Sequence, residues 1–470
     1  MNPHKLLLNG KKEVTPANLG EALQQAIEIE IATIPVYLYT YYSINRTPDQ
    51  DSMKTQMKGL LVKAGKTPDE AAAIALDCSA DIMVYANKAG STIMSVAVEE
   101  MLHMALSSNV KQALAGMPEL TGKAPDSWPA YLPGHVPEFP INRAVFSLNQ
   151  LKTFLKIESP QPLPKNDLPE LKAIDYTTIG EFYTMIMDCI NTNKLKYNTK
   201  APQLVPGRGY YANNNIDTVY YNKQHQPKFT NAGDSGDLVH VVDAKSATKA
   251  IEEIIHQGEG HKGATPLNSD GTPDCKKPTP EDYDDKSKKE LSHFEKFAQL
   301  YCSYTDLQTK FAGYGLGDPG SYFLNNVALN PQTSDYPAPV QAVSTFLNAI
   351  YTYIFVMTEE CYRKEGNTQY EIFMFGIHKS MIWILDGLCS GMSGMSYVGP
   401  DGNSYVAAPT FENYKFDPSS SPKSQIIELF NAANAANSSA VGYLKQRVMD
   451  LPDVSLEPYL NSAKGQTQYI

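Results

Sequence analysis

A carboxylate and an imidazole three residues apart, on the apolar side of a long helical segment, constrain this chain more than any other feature. Between about residues 68 and 115 the apolar positions recur at helical spacing, and Ile93, Val96, Ala97, Glu100, His103 and Met104 fall on one face. Glu100 and His103 therefore point where the helix must be covered. Burying a carboxylate without a partner is costly, so any fold for this chain has to give Glu100 a cation, a proton or hydrogen bonds. The same E-x-x-H spacing recurs at Glu253/His256 and Glu290/His293. With nine histidines, about half a match is expected by chance, so helical phase has to separate the three.

Helical periodicity dominates the rest of the chain. Helices are expected over about 17–44, 68–115 with a break near Gly90, 147–157, 178–191, 244–257, 288–303, 338–365, 370–392 and 422–449. Gly116-Met117-Pro118 is a stop signal, and the Pro-rich runs around Trp128–Gly134 and Pro160–Pro164 read as rigid loops. Residues 198–242 are rich in Asn, Gly and Tyr, with short strands expected near Leu238–Val242, and 260–285 form a polar insertion. The fold class is mainly α. Residues 1–305 are expected to form a helix bundle, and 306–470 a C-terminal helical extension packed on it.

Inside a helix bundle a two-metal site has a recognisable composition: one Glu from each of two helices and a Glu-x-x-His from each of two others, all facing inward. Carboxylates supply charge and bridge cations, and each imidazole fixes one further position. Glu100 and His103 meet one part of that requirement. Glu30 meets another, because it shares a face with Leu23, Ala26, Ile27 and Ile34, whereas Glu28 sides with Glu21, Gln24 and Gln25. In the segment 244–257 the apolar face is Ile251, Ile254 and Ile255, and Glu253 and His256 fall off it. Glu259 continues that face if the last turn holds, and His293 goes with Phe294, Phe297 and Leu300. Glu259 and His293 are thus preferred to Glu253 and His256, and Glu290 ranks below Glu259. Glu181 lies off the face made by Ile179, Phe182, Tyr183, Ile186 and Ile190, and by itself reads as a first-turn acid favoured by the helix dipole.

An ordered set of short runs also resembles a known family. Ala26-Ile27-Glu28-Ile29-Glu30-Ile31-Ala32-Thr33-Ile34-Pro35-Val36-Tyr37, Glu99-Glu100-Met101-Leu102-His103-Met104-Ala105, Phe154-Leu155-Lys156-Ile157-Glu158-Ser159-Pro160, Tyr176-Thr177-Thr178-Ile179-Gly180-Glu181-Phe182-Tyr183, Gln257-Gly258-Glu259-Gly260 and Ser292-His293-Phe294-Glu295-Lys296-Phe297 follow one another as in the ferritin-like domain of iminophenyl-pyruvate dimer synthases. The resemblance spans roughly residues 17–305. It implies a ferritin-like bundle with long loop insertions and a metal shell of Glu30, Glu100, His103, Glu181, Glu259 and His293. It is also what raises Glu181 to a ligand. The implied activity is oxidative coupling of imines derived from aromatic amino acids. The insertion between Glu259 and His293 and the segment 198–242 depart from the family and would reshape a substrate mouth.

The expectation is a di-metal oxidase or oxygenase with two iron ions (manganese as the alternative), O2 as co-substrate, a small organic substrate, and Glu99 as a proton carrier beside the ligands. The alternatives are metal binding without turnover, for iron handling or peroxide detoxification, a scaffold that has lost its metal, and haem held by a buried His. The 29 tyrosines read as packing before they read as a radical relay. A net charge of -11 with no basic run argues against nucleic acid. No stretch approaches the roughly 20 uncharged apolar residues of a membrane span, the nearest being Ala349–Met357, so no membrane partner is expected. Six scattered cysteines without a C-x-x-C pair read as free thiols in a reducing compartment, which places the protein in the cytoplasm. A homo-oligomer is compatible with all of this.

Overall fold

The structure, a computed structural model, describes residues 13–162, 174–206, 237–258, 267–268, 270–276 and 291–455. These divide into two compact units. The first comprises residues up to 116 together with 129–199 and 205–325; the second comprises 117–128, 200–204 and the residues from 326 onward. The unit boundary therefore falls at 325/326, and the helix that begins at His293 runs straight through position 305.

Unit 1 is built on α1 (Leu19–Tyr42), α2 (Gln50–Lys63), α3 (Pro68–Leu114), α4 (Leu148–Ile157), α5 (Ile179–Thr192), α6 (Ala244–Gln257) and α7 (His293–Tyr314). Helix α3 is the mast: α1, α2, α6 and α7 all pack on it, while α4 packs on α7 and α5 on α6. Its start is fixed by Pro68 in the first turn and by a capping box in which the Thr67 side chain accepts from the Glu70 N–H. The expected break at Gly90 does not occur. Gly90 instead makes room for Arg46, whose Cδ would lie 2.7 Å from a Cβ there, and the Arg46 guanidinium donates to Asn87 Oδ1 at 3.0 Å. The periodicity also passed over α2, a short and largely exposed helix whose N-terminus is capped by Asp49.

Unit 2 contains α8 (Ala338–Cys361), α9 (Gly366–Ser393), α10 (Pro422–Ala436), the short helices α11 (Ser438–Val441) and α12 (Lys445–Met449), and an antiparallel hairpin of β1 (Ser396–Val398) and β2 (Ser404–Val406). Helix α8 is buried along nearly its whole length, with α9 and α10 packed against it. The segment expected to be one helix over 422–449 is broken at Asn437, which caps α11. The strands expected at Leu238–Val242 are not formed, since nothing in the described chain pairs with that stretch as a ladder.

Two sequence expectations need correction here. Cys275 and Cys302 form a disulfide, leaving Cys78, Cys189, Cys361 and Cys389 as buried free thiols. Proximity in the fold joined two cysteines 27 residues apart in sequence, so the thiol pattern no longer argues for a reducing compartment. In addition, α8 and α9 are both long and apolar enough to cross a membrane by length and composition. For α8 the reason is plain: it is the core helix of its unit.

Candidate metal centre

The centre lies in unit 1, where α1, α3, the end of α4 and the start of α7 bring charged side chains together. Each is delivered by a local rule. Glu30 sits in the middle of α1 on its apolar stripe, and Glu100 and His103 sit one turn apart on α3. Glu158 is the C-cap of α4, carried on the same stripe as Leu151, Phe154 and Leu155. His293 is the first residue of α7, fixed there by a capping box in which the Ser292 side chain accepts from the Glu295 N–H. All five residues are at most 3% exposed.

The distances describe one cluster. His293 Nδ1 lies 2.8 Å from Glu100 Oε1 and 3.6 Å from Glu158 Oε2. His103 Nδ1 lies 3.9 Å from Glu100 Oε1, and the two imidazoles stack with centroids 5.3 Å apart. Candidate ligand atoms of Glu100, His103 and His293 all fall within 4.8 Å of one another. A cavity touching Glu30, Glu100, His103, Glu158 and Tyr183 opens between apolar walls made by Ile179, Gly180, Ile254, Ile255 and Gly258.

Both imidazoles are held from behind. His103 Nε2 is 2.9 Å from Gln257 Oε1, and His293 Nε2 is 2.7 Å from Glu99 Oε2. Glu99 in turn receives both oxygens' worth of hydrogen bonds from the Lys296 ammonium, at 2.9 and 2.7 Å. With each Nε2 proton taken up in this way, each Nδ1 is left facing the carboxylates. Two tyrosines hold carboxylates similarly: the Tyr183 hydroxyl donates to Glu30 Oε1 at 2.6 Å, and the Tyr37 hydroxyl donates to Glu158.

The electrostatics show what the cluster lacks. Burial, and then the neighbouring Glu100, push the Glu30 carboxyl well above its usual range, and the same two causes raise Glu158. Burial also pushes Glu100 upward, but its hydrogen bond with Glu30 and the charge of His293 outweigh that and hold it low. Burial drags His103 down to about 4. Burial acts the same way on His293, yet Glu100, Glu158 and Glu99 overcome it and hold that ring protonated. Several carboxylates packed together thus survive burial by sharing protons and one imidazolium, the place a cation would take.

The residues fit a metal by an independent sign. The Nδ1 atom of His293 is fully buried beside carboxylate oxygens, yet it has no aligned hydrogen-bond partner among the described residues. A donor atom left this way in a dry cluster of carboxylates and imidazoles matches the hard-oxygen and imidazole set that suits iron or manganese.

The sequence candidates divide clearly. Glu30, Glu100, His103 and His293 meet, and Glu99 stands behind His293. Glu181 does not join them. It is half-buried at the start of α5, where its carboxylate accepts from the Thr177 N–H at 2.9 Å and the Thr177 hydroxyl at 2.6 Å, as a first-turn acid does. Glu259 and Glu290 lie outside the described residues. Glu253 is half-buried and His256 exposed, and neither lines the cavity.

Sequence reasoning missed Glu158, Gln257 and Lys296. Glu158 did leave a signal, since an acid on the apolar stripe at a helix C-terminus is opposed by the helix dipole and calls for a reason. Gln257 yields a test. Gln257→Leu removes the acceptor behind His103, and metal affinity measured by chelator competition is expected to fall about 10- to 100-fold at unchanged helix content. Unaltered affinity would show that Gln257 does not orient the ring.

One comparison with known proteins agrees with this architecture. The family model described as Ferritin-like matches residues 23–302. The crystal structure of a ferritin-like protein from Caulobacter vibrioides aligns at 17% identity, covering 78% of this chain and 98% of that one, but with a TM-score of 0.38 it carries no weight for fold or function. No curated protein matches the chain.

Proposed function

This chain belongs to the ferritin-like family, and we propose that it is a di-metal oxidase or oxygenase. Glu30, Glu100, His103, Glu158 and His293 are its ligands within the described residues, with Glu259 a further candidate. The observation that carries this reading is the convergence of Glu30, Glu100, Glu158 and His103 on one cavity, with His293 Nδ1 2.8 Å from Glu100 and 3.6 Å from Glu158 behind it, so that four separate segments meet. Two iron ions, or manganese, would supply O2 activation and oxidising power when bound there.

The chain's own residues supply the rest. Glu99, locked by Lys296, fixes the His293 ring and offers a buried carboxylate at Nε2 for holding a proton. Tyr183 and Tyr37 hold Glu30 and Glu158 through their hydroxyls, so that both carboxylates keep their orientation. Ile179, Ile254 and Ile255 keep water from the approach and favour an apolar substrate. The choice of an imine derived from an aromatic amino acid rests on the motifs that resemble those of iminophenyl-pyruvate dimer synthases.

The test is elemental analysis of protein purified without chelators, followed by oxygen uptake after ferrous loading in the presence of aromatic amino-acid imines. About two metal ions per chain, with uptake that depends on the imine, is the expected result. Metal without substrate-dependent uptake would move the reading to iron handling or peroxide removal. Failure to bind metal even after anaerobic ferrous loading would sink the oxidase and leave a ferritin-like scaffold.

A further inference from the structure

The outer face of α9, in unit 2, is apolar and plays no part in the metal centre. The helix passes through two stretches of π winding, Ile372–His378 and Ser380–Leu385. Such segments are rare and concentrate at functional places. Its most apolar window is long enough for a membrane span, yet only 50% of that window is buried. A helix that is apolar all round calls for cover all round. The inner face has it from α8, which approaches so closely that a Cβ on Gly376 would lie 2.7 Å from Met357 Cγ.

The outer face carries Phe375 and Trp383, 41% and 43% exposed. Between them stands Lys379, its Nζ 3.7 Å from the centroid of the Phe375 ring and 5.1 Å from that of Trp383. The Arg447 guanidinium lies 5.5 Å from the Trp383 ring and donates to the Trp383 carbonyl at 2.9 Å. Tyr443, 56% exposed, extends the strip by donating to the Gly387 carbonyl. Two acids lie on the same helix: Glu371, exposed four residues before Phe375, and Asp386, which acts on Tyr443 at the other end.

We propose that this strip docks the protein on an anionic lipid bilayer, with α9 lying in the interface plane. Aromatic rings that bury an apolar body, with Lys and Arg beside them to meet headgroup phosphates, are what such an interface selects. A second copy of the chain fits less well. An isologous contact sets the strip against a second copy of itself, so burying the rings would also take Lys379 and Arg447 out of water, with only the few acids of the same helix to meet them. Anionic lipid neutralises both. Helix α9 does not cross the bilayer, because its inner face is already packed on α8.

The chain has two tryptophans, Trp128 and Trp383, so the full-length Trp128→Phe protein reports on Trp383 alone. Mixed with phosphatidylcholine vesicles containing phosphatidylglycerol, it is expected to co-sediment and to show a blue-shifted emission, both weakening as salt is raised. Vesicles of phosphatidylcholine alone are expected to bind far less. Lys379→Gln in the same protein is expected to lower partitioning about fivefold, and Phe375→Ser to lower it further, while helix content stays unchanged. Three results would overturn the proposal: no binding to anionic vesicles, equal binding to both compositions, or a Lys379→Gln protein that partitions like its parent. So would a blue shift that appears without lipid and tracks protein concentration, which would assign the strip to a second copy.

Discussion

Glu100→Ala or His103→Ala protein, loaded anaerobically with ferrous iron and desalted, retains less than about a tenth of the metal held by the wild type. The magnitude follows from position. Even residues that only orient a ligand cost about 10- to 100-fold in affinity when removed, and Glu100 is the carboxylate that all the others meet. It touches His293 at 2.8 Å and the Thr33 hydroxyl at 3.2 Å, and it shares a hydrogen bond with Glu30. Helix content stays near wild type, because α3 is held along its length by α1, α2, α6 and α7. The matched control is Glu253→Ala with His256→Ala, the same spacing on α6 but away from the cavity, which keeps its metal. Full metal content in the Glu100 and His103 variants would show that the site is elsewhere.

Lys296→Met lowers the thermal transition of unit 1 by on the order of 10 °C. Lys296 is 4% exposed and Glu99 3% exposed, and the ammonium donates to both carboxylate oxygens. Removing one partner of a buried pair costs up to about 3–5 kcal/mol, and here Glu99 keeps the His293 ring, 2.7 Å away, to offset part of its charge. That is a large part of the roughly 5–15 kcal/mol that holds a domain together. Adding Glu99→Gln to Lys296→Met removes the stranded charge and is expected to recover part of the loss. The double-mutant cycle then shows a coupling between the two sites well above the scatter of independent pairs. If Lys296→Met melts like the wild type, the pair does not hold the back of the centre and Glu99 owes its orientation to something else.

The inward-facing acids show how far a sequence can be read. Glu30, Glu100, His103 and His293 were visible because each breaks the pattern of an apolar helical stripe, and helical phase is a local property. The long α3, its start at Pro68 and its end before Gly116 were legible for the same reason, since caps and breakers act on their own neighbourhood. Glu158 was legible only in retrospect, as an acid at the unfavourable end of α4. Helix α2 escaped because its face to α3 holds only Met53, Met57 and Leu61, too few apolar positions to stand out.

What the sequence by itself determined is therefore the helical class and the set of charged residues that some fold would have to bury. What only the tertiary structure decided is which of them meet. Glu181 obeys its own helix start and bonds to Thr177, although the family motif suggested a ligand. Gln257 reaches His103 across 154 positions, and Lys296 reaches Glu99 across 197. The Cys275–Cys302 disulfide closed a pair that spacing gave no reason to join. Such meetings depend on the register of one helix against another and on the path of the loops between them. Those are fixed by the packing of side chains far apart in the chain, and no local pattern encodes them.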